Sequence, residues 1–228
     1  MIWILFLGTM ALSLWAMWRV KSVYNRYNQG MVRSGLSGSE VAARILSRLG
    51  IHDVEIAEGE GLLGDHYDPT HKRLVLSPDN YHGRTPAALG VAAHECGHAI
   101  QHAMAYAPLQ WRMAAVGITN YANHVVMFLP LLGLFTGLIS PMTGAMLMAG
   151  AWGVIMLFNL ITLPVEFDAS RRATAELEGF IAPGEEALGV KRVLDAAAWT
   201  YVAAFITSLG YFLWHLLPLL TGGSRERE

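Results

Sequence analysis

His94, Glu95 and His98 stand in the run Val91-Ala-Ala-His-Glu-Cys-Gly-His-Ala-Ile-Gln-His102, with a further histidine four residues on. Residues four apart on an α-helix project from one face, so the imidazoles of His94 and His98 can reach a single metal ion. Glu95 then lies beside that ion, not on it. The spacing is that of zinc-dependent peptide hydrolysis: the ion lowers the pKa of water to about 7, and the adjacent glutamate takes its proton and later passes it to the leaving amine.

A catalytic zinc needs a third protein donor and one open position. His102 continues the stripe, but it lies about 6 Å of rise beyond His98 and cannot converge with His94 on one ion while the helix is unbroken. It is read as a helix-surface residue or as a hydrogen-bonding support for the ligands. Glu166 is the better third donor. It is the first charge after 53 uncharged residues, Met113 to Val165, in Leu163-Pro-Val-Glu-Phe-Asp-Ala-Ser-Arg-Arg172. Asp168 is expected to accept a hydrogen bond from a ligating imidazole and so fix its tautomer, with Ser170, four residues after Glu166, as the alternative.

The elements that must position these residues are set by the uneven charge. The 228 residues are 54% hydrophobic and only 15% charged. Besides the blank at 113–165, residues 196–223 carry no Asp, Glu, Lys or Arg, and Ile2 to Trp18 is a third apolar stretch, flanked by interfacial tryptophans. An apolar helix needs about 20 residues to cross a bilayer. Gly137 to Gly144, with Pro141, divides the long blank in two. Four spans are therefore expected, near 2–18, 120–139, 143–163 and 197–220. The first is expected to be a retained anchor, because basic residues follow it and none precedes it.

Arg19, Lys21, Arg26, Arg33, Arg112, Arg171, Arg172, Lys191 and Arg192 all fall on one side if the spans alternate, which makes that side cytoplasmic and puts the amino terminus outside. The expected organisation is an anchor at 1–18, a cytoplasmic region at 19–119, a transmembrane hairpin at 120–163, a cytoplasmic segment at 164–196, a last span at 197–220 and a polar tail at 221–228. A net charge of −2 with no basic array gives no reason to expect nucleic acid as a partner. Cys96 is the one cysteine, which excludes an intramolecular disulfide.

Within the polar region, apolar residues at 41, 45, 46 and 49 predict a short amphipathic helix capped by Ser37 or Ser39 and ended by Gly50. Short strands are expected at 54–56, 62–67 and 73–76, the last two joined as a hairpin through Asp68-Pro-Thr-His71. Thr85-Pro86 opens the helix that carries the histidines, expected to run to about 106.

Four ordered blocks, Asp65–Pro69 (DHYDP), Arg73–Pro78 (RLVLSP), Val91–Ala103 (VAAHECGHAIQHA) and Leu163–Ala173 (LPVEFDASRRA), together with the first span, resemble the YugP-type bacterial membrane zinc metallopeptidases. The resemblance covers nearly the whole chain. It implies a mainly α membrane protein with about four transmembrane helices and a small α+β zincin-like cytoplasmic domain containing a short hairpin or sheet. It further implies a neutral zinc endopeptidase of the bacterial inner membrane, related in layout to the glutamate-zincins HtpX and Ste24. By carry-over, one Zn²⁺ per chain is held by His94, His98 and Glu166, with Glu95 as the base. Those relatives place an Asp four residues after the ligand Glu, where this chain has Ser170. In zincins an edge strand takes up substrate by β-augmentation, and Lys72, Arg73, Leu74, Val75 and Leu76 resemble that strand. His66, His71, Tyr81, His82, Arg171 and Arg172 are candidates to stabilise the oxyanion.

Location beside four spans points to polypeptide substrates among membrane proteins or proteins failing to fold there; the oligomeric state is not legible. Two rival readings are a site-2-type intramembrane protease with Asp168 as third ligand, and a non-catalytic membrane adaptor with a structural zinc.

Overall fold

The computed structural model describes residues 2–59 and 64–222. In chain order the elements are α1 (Ile2–Tyr27), α2 (Gly38–Arg48), β1 (Glu55–Glu58), β2 (His66–Asp68), β3 (Arg73–Leu76), α3 (Pro78–His82), α4 (Pro86–Ala103), α5 (Ala107–Thr136), α6 (Pro141–Leu177) and α7 (Glu185–Gly222). Helices α1, α5, α6 and α7 are long and apolar enough to cross a membrane. The chain is thus a mainly α membrane protein with a small sheet.

The four long helices overrun the uncharged stretches that announce them. α5 begins at Ala107, α6 continues through Pro164 to Leu177, and α7 starts at Glu185. Charge marks where a helix meets water, not where it ends. Gly137, at φ +61, ends the helix before the α5–α6 turn. α4 stops at Ala103, three residues short of the expected limit, because Ala105 enters the left-handed region (φ 51) and the Tyr106 N–H returns to Gln101 O at 2.9 Å.

The chain divides into two compact units. One comprises residues 1–14, 111–163 and 201–228. Its helices expose large apolar side chains such as Trp3, Tyr121, Leu132 and Leu217, as suits lipid contact. Inside it, Asn159 Nδ2 donates to Ala204 O (3.2 Å) and Ser208 Oγ (3.0 Å), and Trp152 stacks on Tyr211 at 4.6 Å.

The second unit comprises residues 15–110 and 164–200 and holds every candidate site residue. Its sheet has the order β1-β3-β2, with β1 parallel and β2 antiparallel to β3. β2 and β3 are joined through Asp68, whose Oδ1 accepts from Thr70 N (2.8 Å) and His71 N (3.2 Å). Leu62 and Leu63 of the expected strand lie outside the described residues.

The sheet order corrects one expectation. Lys72 to Leu76 does not form an edge: β3 is bonded to β1 on one side and, from Arg73 to Val75, to β2 on the other, so a substrate strand has no open side to add to there. Leu74 and Leu76 are fully buried, as a central strand requires. The short α3 was not foreseen; Pro78 sits at its first turn.

α2 is held by a capping box, with Ser37 Oγ accepting from Glu40 N and the Glu40 carboxylate accepting from Ser37 N (2.7 Å). Its Val41, Ala42, Ile45 and Leu46 pack with Leu74 and Leu76 of β3 and with Leu89, Ala92, Ala93, Cys96, Ala99 and Ile100 of α4. Leu177, Val190 and Leu194 close the core. Each large aliphatic side chain buried here contributes about 1.5–3 kcal/mol. One face of α4 is therefore committed to the core, and the histidines stand on another.

Candidate metal centre

α4 is fixed at its start before its chemistry begins. Thr85 Oγ1 accepts from Ala88 N at 3.1 Å and Pro86 occupies the first turn, so the phase of every later residue is set by a defined cap. Against this helix lies α6. A Cβ added at Gly97 would come 2.5 Å from Ala169 O and 2.9 Å from Ala169 Cα. Backbone meets backbone at that crossing, and only glycine leaves room.

The crossing draws His94, His98 and Glu166 together. Their donor atoms all lie within 4.8 Å of one another. His94 Nε2 is 3.2 Å and His98 Nε2 3.6 Å from Glu166 Oε2. The two imidazole rings are 4.8 Å apart and nearly perpendicular, at 83°. Donors about 2.0–2.2 Å from a tetrahedral ion stand roughly 3.4 Å from each other. The two histidine–glutamate separations are close to that value, and two nitrogens with one carboxylate oxygen are a donor set that suits zinc.

The tautomer of His98 follows from its neighbour. Gln101 is fully buried, and its Nε2 donates to Val165 O (2.8 Å) and Asp168 Oδ2 (2.9 Å). Its Oε1 is left to accept, and it accepts from His98 Nδ1 at 3.1 Å. With the hydrogen on Nδ1, the Nε2 lone pair faces Glu166 and is free to bind metal. Ser170 Oγ meets His94 Nδ1 at 3.2 Å and supports the other ring in the same way. Burial opposes charge on His98, but the Glu166 carboxylate, Glu95 and Gln101 together hold its pKa above the ordinary value.

Two expectations about this supporting layer are corrected. Asp168 does not accept from an imidazole; its oxygens take Gln101 Nε2, Arg171 and Arg172. The reason is helical phase: at 100° per residue, position 168 points about 200° from 166, whereas 170 returns to the Glu166 side. Nor does His102 support the ligands. Its Nδ1 meets Tyr67 OH at 2.9 Å, at a cleft of about 290 Å³ shared with Asp53 and Lys72. Burial pushes the Tyr67 hydroxyl up to about 12, so it remains the donor.

Glu95 is 7% exposed and, among the described residues, its carboxylate has no hydrogen bond or ion pair. The six oxyanion candidates are not drawn to the cluster by their contacts. His66 bonds Gly64 O, His71 bonds Asp68, His82 bonds Glu58 and Tyr81 packs edge-on to His82. Arg171 and Arg172 are held by Asp168, and Arg172 also lies over the Tyr106 ring at 5.8 Å. Cys96 stays outside this chemistry, since burial pushes its thiol well above the usual range.

Gln101 is the residue that sequence reasoning missed. An amide in an otherwise apolar stretch, three positions after His98, was its signal: a buried polar side chain must find partners.

Similarity to known proteins agrees with this chemistry. A family model described as "Putative neutral zinc metallopeptidase" matches residues 2–220. The "Putative membrane protease YugP" of Bacillus subtilis (strain 168) is 42% identical over 219 residues, covering 95% of each chain. No solved structure matches. With a family model spanning nearly its whole length and a relative this similar, the chain belongs to the neutral zinc metallopeptidase family that the model describes.

Proposed function

We propose that this chain is a membrane zinc endopeptidase in which His94 Nε2, His98 Nε2 and a Glu166 carboxylate oxygen hold one Zn²⁺ and Glu95 is the general base. The observation that carries the reading is the convergence of those three donors, within 4.8 Å, on two helices that meet at Gly97. When bound there, zinc supplies Lewis acidity, polarising the scissile carbonyl and acidifying water. Glu95 takes the proton of the attacking water as the new C–O bond forms. It then delivers that proton to the amide nitrogen as the C–N bond breaks. Its unpaired carboxylate suits both transfers, because no partner must be released first.

The centre faces the cytoplasm in this reading, because the basic residues beside the spans collect on the side that carries residues 19–119 and 164–196. Glu166 follows the last residue of the apolar run, Val165, directly in α6. That adjacency favours membrane proteins, or chains failing to fold at the membrane, as substrates.

Two rivals lose ground. Asp168 as the third ligand would have to abandon Gln101, Arg171 and Arg172. A structural zinc is normally closed by four protein donors, and three converge here. The test is zinc content and hydrolysis of an unfolded protein by the purified full chain. Glu95→Gln is expected to keep zinc and lose about 10²–10⁴-fold in turnover, while Glu166→Gln loses both. Full proteolysis by Glu95→Gln, or zinc retained by Glu166→Gln but lost by Asp168→Asn, overturns the assignment.

A further inference from the structure

Arg19 is the first charged residue of α1 after the apolar run Ile2 to Trp18, and Trp199 lies four residues after Asp195, the last charge of α7 before its apolar run. The two residues therefore mark the level at which both helices pass from apolar to charged. They also touch. The Arg19 guanidinium carbon is 5.5 Å from the centroid of Trp15 and 6.0 Å from that of Trp199, and the two indoles meet edge to face at 5.6 Å and 80°.

Among the described residues the cation against these indoles meets no counter-ion. Among the described residues Arg19 forms no ion pair or hydrogen bond, and its Nε is buried with no acceptor. Asp195 is one turn from Trp199 on the same face of α7, yet it does not pair with Arg19. With its Nε buried against aromatic faces, Arg19 leaves the Nη donors of its planar fork for a partner from outside. At the boundary of a membrane the abundant partner with matching geometry is a phosphodiester oxygen pair, which a guanidinium grips better than an ammonium does. Trp15 and Trp199, 39% and 41% exposed, offer indole surface to the adjoining glycerol and upper acyl chain.

We infer that Trp15, Arg19 and Trp199 form a headgroup site for an anionic phospholipid, with the lipid phosphate on the Arg19 guanidinium. Lys21 lies two residues further on and is exposed, so it adds to the general basic field without belonging to the cage. This inference is independent of the zinc assignment.

The test is native mass spectrometry of the full chain in detergent, titrated with a phosphatidylglycerol, with the phosphatidylcholine of identical acyl chains, and with inorganic phosphate. One basic residue at an anionic surface corresponds to about a five-fold preference. The wild type is expected to bind phosphatidylglycerol about five-fold more tightly than phosphatidylcholine. Arg19→Gln is expected to lose that preference and Lys21→Gln to keep it. Should Arg19→Gln not fold, Trp199→Leu, which retains the charge but opens the cage, is expected to reduce the preference. Equal affinity for the two lipids in wild type, a preference that survives Arg19→Gln or Trp199→Leu, or equal losses in Arg19→Gln and Lys21→Gln would each overturn the site. Saturation of the Arg19-dependent binding by inorganic phosphate alone would overturn the assignment to lipid.

Discussion

Replacing Gln101 with leucine removes three hydrogen bonds while nearly preserving volume, and their consequences are separable. Val165 O is a helical carbonyl and loses only a supplementary donor. Asp168 keeps Arg171 and Arg172. The loss falls on His98, whose Nδ1–H is left in a buried site without an acceptor, at a cost of about 1–3 kcal/mol. A ring so deprived can swing or change tautomer, and either response turns the Nε2 lone pair from Glu166. Losing the partner that orients a metal-bound histidine costs about 10–100-fold in metal affinity or activity. Competition with a chromogenic chelator should therefore show zinc held 10–100-fold more weakly by Gln101→Leu, with kcat/KM falling in parallel under limiting zinc. Asp168→Asn leaves an acceptor for Gln101 and should change zinc affinity by less than about three-fold. Wild-type zinc affinity in a folded Gln101→Leu chain would refute the reasoning, as would a larger loss in Asp168→Asn.

Gly97→Ala puts a Cβ 2.5 Å from Ala169 O, so α6 must shift by roughly 1 Å, at a cost of about 1–3 kcal/mol; zinc content and thermal stability should both fall. Because the clash is with backbone, Ala169→Gly in the same chain should not restore them, and rescue would show that the contact is misread. Ser170→Ala removes the group at His94 Nδ1, but the His94 side chain keeps 13% exposure, through which a water can take the place of the hydroxyl, so zinc affinity should drop only a few-fold by the same titration. Cys96, a buried thiol whose pKa is pushed up, should resist iodoacetamide at pH 8 until the chain is denatured; rapid labelling of the folded protein would contradict its place in the core.

What the sequence disclosed depended on whether the cause was local. His94 and His98 were legible because helical phase alone brings them together. Glu166 was legible because a charge at the end of a 53-residue blank is conspicuous. The same rule, applied to α6, would have separated Asp168 from Ser170, since 200° and 400° of rotation put them on different sides. Gln101 lay in plain view, but its partners Val165 and Asp168 are more than sixty residues away. The edge-strand expectation failed for a related reason. Residues 73–76 alternate well enough for a strand, but alternation does not say how many neighbours the strand has, and β1 reached its open side in parallel from earlier in the chain.

The amide at position 101 has an electrostatic use that an acid there would lack. In the proposed site the double charge of zinc is balanced by Glu166 as ligand and Glu95 beside it. A carboxylate bonded directly to His98 would make the cluster net negative, raising the basicity of the imidazole but blunting the polarising power of the ion. In this chain Asp168 is instead set behind Gln101, where Arg171 and Arg172 answer its charge. Gln101 transmits its position and not its charge: Nε2 is anchored on Asp168 and Val165, and the fixed Oε1 orients His98. Orientation and charge, which a direct carboxylate–histidine contact delivers together, are thereby separated. Ser170 fits the same division, with a neutral hydroxyl on His94 and a neutral amide on His98. Both imidazoles are held by uncharged acceptors, and in the proposed site Glu166 and Glu95 would be the carboxylates at the ion.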